Sequence, residues 1–161
     1  MTNTVQVHRV YIKATPERIW EAITKPEWTA KYGYTGLADF DLKVGGKHRT
    51  RPTQEFIDAG FTGDLVDGEV LEVDPPRKLV QSFNAVWGDD VKAEGTSRVT
   101  WAIEPVGDSC CLTVTHDQLG ENANPQLYGG WPMILSGLKT LLETGEKLTT
   151  PGSLMYDRGW N

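Results

Sequence analysis

One stretch near the end of this 161-residue chain, Gly129 to Leu148, constrains the fold more than any other. Trp131, Ile134, Leu135, Leu138, Leu141 and Leu142 fall at the i, i+3, i+4, i+7 spacing of one helical face. Ser136, Lys139, Thr140 and Glu143 take the other side, so the spacing predicts a helix with a single buried stripe. Pro132 suits a first turn, where its missing N–H costs nothing. Lys147 suits the negative end of the helix dipole. Gly137 lies inside the helix at a cost of about 1 kcal/mol relative to alanine, which points either to close backbone packing or to space left open beneath it. A buried stripe needs a partner surface. Because the preceding chain reads mostly as strands, the expected arrangement is one long helix lying across a sheet.

Val5 to Lys13 is rich in β-branched residues and reads as a first strand. It runs into a short helix with Thr15 as N-cap, Pro16 at N1 and an apolar stripe of Ile19, Trp20 and Ile23. Thr24-Lys25-Pro26-Glu27 repeats the cap-then-proline signal and opens a second short helix carrying Trp28 and Tyr32. Strands are then expected at Leu37 to Leu42, Lys47 to Arg51, Val66 to Val73, Lys78 to Ala85, Gly95 to Glu104 and Ser109 to Asp117. The last two alternate cleanly, with Val99, Trp101 and Ile103 on one face and Leu112, Val114 and His116 on one face of the next, as in antiparallel strands with one buried side. Residues 52–65 lack a period and read as an irregular loop, a lid by its length, with a helical turn at Gln54 to Ala59. The strings at 67–78 and 89–94 read as solvated edges and turns. The chain reads as one domain over residues 1–148 followed by a loose tail, 149–161.

Composition narrows the function classes. A formal net charge of −6 disfavours nucleic acid and anionic membranes as partners. There is no apolar run of about 18 residues that could span a bilayer. The first residues hold no basic region followed by an apolar stretch, so the expected compartment is the cytoplasm. Cys110 and Cys111 are adjacent, with Cα atoms about 3.8 Å apart, too close for an unstrained disulfide. Their side chains diverge on a strand, so two small strand residues with one buried is the expected reading. No metal-ligand spacing and no glycine-rich phosphate loop occurs, and neither a metal nor a cofactor is expected. No G-x-S-x-G string marks a nucleophile.

Four strings, in order along most of the chain, carry a family resemblance: A-T-P-E-R-I-W-E-A-I-T-K-P-E at 14–27, V-G-G-K at 44–47, G-E-V-L-E-V-D-P-P-R-K-L-V at 68–80 and G-W-P-M-I-L-S-G-L-K-T-L-L-E-T-G at 130–145. The chain resembles the activator-of-heat-shock-protein-90-ATPase-homologue-like family within the START-like, helix-grip (SRPBCC) superfamily. The resemblance implies an α+β fold in which a curved antiparallel sheet wraps around the long C-terminal helix, with two short helices after the first strand and an apolar cavity between sheet and helix. It also implies a range of roles: members bind lipids, hormones or polyketides, some catalyse cyclisation or hydrolysis in the cavity, and members often pair as dimers. Two departures stand out. The inward positions after the Gly-Gly turn are His48 and Thr50 where aromatic or aliphatic residues are usual, and residues 51–66 are longer than expected.

The first candidate site is a ligand pocket under the helix, walled by Trp131, Leu135 and Leu138 from the helix, Phe83, Trp101 and Val114 from the sheet, and Trp28 or Tyr32 from the short helices. The competing reading is a solid core of the same residues, since apolar stripes usually pack. The second candidate is a set of inward polar groups, His48, Gln81 and His116. A histidine there can orient a ligand or act as acid or base, or it can simply be hydrogen-bonded at the rim. The expected function is therefore binding of a small hydrophobic molecule. One alternative is a cyclase- or hydrolase-like enzyme using His48 or His116; another is a co-chaperone-like interaction module, for which no local feature was found.

Overall fold

The computed structural model describes residues 4–32 and 36–150. Seven strands form one antiparallel sheet: β1 (Thr4–Ile12), β2 (Leu37–Phe40), β3 (Lys47–Arg51), β4 (Val66–Asp74), β5 (Lys78–Ala85), β6 (Thr96–Val106) and β7 (Ser109–Leu119), in the order β1-β7-β6-β5-β4-β3-β2. Every neighbouring pair after β1 is consecutive in sequence. The exception is β1, which pairs with the last strand, so α1 (Pro16–Thr24) and α2 (Pro26–Thr29) carry the chain from one sheet edge to the other. Helix α5 (Trp131–Thr144) lies on the inner face, and this is the helix-grip arrangement.

Local chemistry accounts for the helix boundaries. Thr15 caps α1 by accepting from Arg18 N at 3.2 Å, with Pro16 at the first position. Thr24, expected to cap α2, is instead the last residue of α1, and its hydroxyl donates back to the Trp20 carbonyl at 2.7 Å. Lys25 takes the cap position of α2 without a side-chain bond, because the extended backbone before Pro26 is set by the proline itself. Helix α5 is shorter than the expected Gly129 to Leu148. It ends where Gly145 adopts φ +79°, a left-handed cap that leaves Lys147 beyond the helix. Its polar side is used as well: Lys139 Nζ donates to the Tyr11 carbonyl at 2.7 Å and Glu143 accepts from Lys13 N at 2.9 Å, tying the helix to the end of β1.

The main core is solid where the C-terminal half of α5 meets the sheet. Leu135, Leu138, Leu141 and Leu142 pack with Ile12, Ile19, Leu79, Val99, Ile103, Leu112 and Val114 in one buried cluster. Burying a side chain of this kind contributes about 1.5–3 kcal/mol. Within residues 52–65 the helical turn expected at Gln54 to Ala59 is α3 (Gln54–Asp58), and the segment, expected to be otherwise irregular, has a small core in which Phe56 and Leu65 bury against Phe61, Val66 and Trp87. The segment at 89–94, expected to be solvated, forms α4 (Asp89–Lys92), which anchors itself through buried Val91. Cys110 and Cys111 are free and both buried, not one alone, because β7 is covered on its inner face and Cys111 is screened on the outer one. Of the expected tail, residues 151–161 lie outside the described residues.

Candidate functional site: a cavity at the start of the long helix

The sheet and α5 part company at the helix N-terminus, where a cavity of about 370 Å³ opens. That volume is within the range of about 300–1,000 Å³ usual for small-molecule sites. Its position has a cause in the sequence. Small groups, Ala38 on β2, Thr50 on β3 and the backbone of Gly129 and Gly130 ahead of α5, face large aromatic rings there and cannot fill the space between them. The aromatic walls are Tyr32, Phe40, Phe83, Trp87, Trp101 and Trp131. Trp101 and Trp131 meet edge to face, with ring centroids 5.4 Å apart at 83°. Ile23, Leu65, Val66, Leu127 and Ile134 add aliphatic surface. Among the described residues, no Asp, Glu, Lys, Arg or His side chain lines the cavity.

Of the residues singled out in the sequence, Tyr32, Gln81, Phe83, Trp101 and Trp131 line the cavity. Leu135, Leu138 and Val114 are in the solid core, and Trp28 packs against that core from α2. Gly137 is buried on α5 but does not line the cavity, so the space lies a turn or two earlier than an opening beneath that glycine would place it. His48 and His116 stand behind the wall and not in it. Phe40, Trp87 and the segment Leu65-Val66 line the cavity and were missed in the sequence. Phe40 alternates with Ala38 on a strand of four residues, too short for a pattern, and 52–65 has no period to read.

Both wall histidines are committed to holding aromatic rings. Trp131 Nε1–H donates to His116 Nδ1 at 3.1 Å, which leaves the hydrogen of the neutral ring on Nε2. Nε2–H then donates to Ser97 Oγ at 2.7 Å, and Ser97 donates onward to the Phe83 carbonyl at 3.4 Å. Phe83 itself packs edge-on against His116, with centroids 4.9 Å apart. His116 is fully buried, and burial pushes its pKa down to about 4, so the ring is neutral near pH 7. His48 lies opposite Gly68 on β4, and its ring passes over that glycine so that Nε2 reaches the Ser82 carbonyl on β5 at 2.6 Å. Phe40 stacks on it at 5.3 Å, and burial lowers its pKa too. Burial likewise raises Tyr32, whose hydroxyl donates to the Ala22 carbonyl at 2.8 Å. A third inward histidine, His8 on β1, keeps a buried Nε2 without a partner among the described residues, and the alternation with Val10 and Ile12 could have revealed it. No group of three His, Cys, Asp or Glu side chains gathers among the described residues to hold a metal.

Sheet, helix and cavity together define a helix-grip domain of the START-like type. The family model described as "Activator of Hsp90 ATPase homolog 1-like protein" matches residues 13–143, and the chain belongs to that family. No curated protein matches the sequence. Solved structures share the fold. CalU16 from Micromonospora echinospora superposes with a TM-score of 0.67 at 21% identity, covering 89% of this chain and 78% of that one. The Aha1 dimer from Colwellia psychrerythraea gives 0.66 at 22% identity over 88% of this chain and 98% of its own. Protein MLL2253 from Mesorhizobium loti gives 0.67 at 25% identity over 87% and 97%. No helix among the described residues is long and apolar enough to cross a membrane.

Proposed function

We propose that this protein binds a small, neutral, hydrophobic molecule in the cavity between the sheet and the start of α5. The observation that supports this most is the lining: six aromatic side chains around about 370 Å³, with no charged side chain among the described residues. Such a surface favours apolar and aromatic matter and would leave a buried charge uncompensated. Acid–base chemistry on a ligand has less support. His116 spends both ring nitrogens on Trp131 and Ser97, and His48 directs Nε2 at a backbone carbonyl. The test is a thermal-shift screen of neutral aromatic compounds, followed by native mass spectrometry of the complexes. At about 100-fold excess over Kd, a true ligand stabilises by roughly 2.7 kcal/mol. A flat response across a broad panel would overturn the reading.

Assembly is a separate matter with its own observation. The Colwellia neighbour is a dimer, and here the edge strand β1 turns Val5, Val7 and Tyr11, each more than half exposed, to the outside. We read this face as a homodimer contact. Light scattering of the native chain and of Val7→Lys tests it: the native protein should run as a dimer and the variant as a monomer, and a native monomer at every concentration would exclude it.

A further inference from the structure

We propose that the cavity selects aromatic ligands carrying a hydrogen-bond acceptor such as a carbonyl, and that the side-chain amide of Gln81 is the group that holds it. The inference rests on the binding reading above and adds the chemical class of the ligand and the atom that recognises it.

Gln81 is only 6% exposed and lines the cavity from β5. Its two ends are distinguishable. Trp101 Nε1–H, a donor only, lies 2.9 Å from Oε1, which fixes the carbonyl end and assigns the NH2 group to the other side. Among the described residues, the contact of that NH2 within hydrogen-bond range is His48 Nε2, at 3.5 Å. His48 Nε2 is itself 2.6 Å from the Ser82 carbonyl, which can only accept, so this nitrogen carries a hydrogen whether the ring is neutral or charged. Two donors therefore face each other. Gln81 NH2 finds no acceptor among the described residues, although it is deeply buried in a wall that is mostly apolar.

Buried donors of native proteins are nearly always satisfied, and here the open side is the cavity. An acceptor on the ligand completes the set: Trp101 to Gln81 Oε1, Gln81 NH2 to ligand oxygen. An anionic acceptor is disfavoured because no cationic side chain among the described residues lines the cavity to meet it. A neutral carbonyl on a ring system fits both the amide and the aromatic walls.

Fluorene and 9-fluorenone test this directly, since they differ only in a ring CH2 replaced by C=O. Affinities of both are measured by equilibrium dialysis on the native protein and on Gln81→Met. The native protein should prefer fluorenone by about 3- to 10-fold, and the variant should bring the two within about twofold. In the native protein, fluorenone should also move the Gln81 side-chain amide proton downfield relative to fluorene, a readout independent of whether the variant folds. Equal affinities in the native protein, or a preference that survives in Gln81→Met, overturns the assignment while leaving the cavity reading standing. Binding of neither compound overturns the assignment, and a flat response across the broad panel as well overturns the cavity reading with it.

Discussion

The indole N–H of Trp131 donates to Nδ1 of His116 across 3.1 Å, joining the first residue of α5 to the inner face of β7. This bond ties the helix to the sheet at the point where the two would otherwise separate around the cavity. It also explains why a buried histidine is tolerated: both its nitrogens are partnered.

Trp131→Phe keeps an aromatic wall and removes only the donor. It leaves His116 Nδ1 buried without a partner, which costs about 1–3 kcal/mol. Urea denaturation should show that loss. NMR titration should show the His116 pKa rising above its native value of about 4, because the neutral form has lost the bond that favoured it. An unchanged titration would mean that the indole does not hold the ring.

Acid should weaken the fold in a defined window. The ordinary histidine pKa is 6.5, and His116 is pushed down to about 4. Above pH 6.5 the ring is neutral in both folded and unfolded chains and contributes no pH dependence. As the pH falls below that, the unfolded chain takes up a proton that the folded chain refuses until about pH 4. Stability therefore drops by about 1.4 kcal/mol per pH unit, roughly 3 kcal/mol across the window. His48, also lowered by burial, adds in the same direction. Denaturation curves between pH 7 and 4 should show this slope, and His116→Gln should flatten most of it.

Cavity and core should separate in their responses to mutation. Ala38→Leu adds bulk to the cavity wall and should abolish ligand-induced thermal shifts while leaving the melting temperature within a few degrees. Leu138→Ala removes a fully buried core side chain away from the cavity and should cost about 2–5 kcal/mol, with ligand shifts retained. Loss of ligand response in Leu138→Ala alone would put the site in the wrong half of the helix.

Gly68→Ala tests the path of His48 over β4. A methyl group there would lie 2.6 Å from His48 Nε2 and closer still to the Ser82 carbonyl, a backbone atom that cannot swing away. Destabilisation of about 1–3 kcal/mol is expected, as for other overpacked sites, and denaturant titration measures it.

How far the sequence could be read differs element by element. Strands β6 and β7 were legible because eleven residues each of alternating character leave no other period. The α5 stripe was legible for the same reason, though its end was not: Gly145 stops the helix, while Lys147 only looks suited to a helix terminus. His116 and Gln81 could be placed inward by alternation, but not their roles. Whether His116 is an acid–base group or a hydrogen-bond acceptor depends on Trp131 and Ser97, which lie 15 and 19 residues away in sequence.

By itself, the amino-acid order determined the strand and helix periods, the cap at Thr15, the family, and therefore the grip of sheet on helix. These follow from local sterics and from which side of each element is apolar. Only the tertiary structure decided that Leu135 and Leu138 fill space while Trp131 and Ile134, a turn earlier, border it. The same stripe does both because packing is set by what faces it, large aliphatic groups at one end and Ala38, Thr50 and the Gly129-Gly130 backbone at the other. Volume left over between elements is a property of their pairing, and no single element's periodicity carries it.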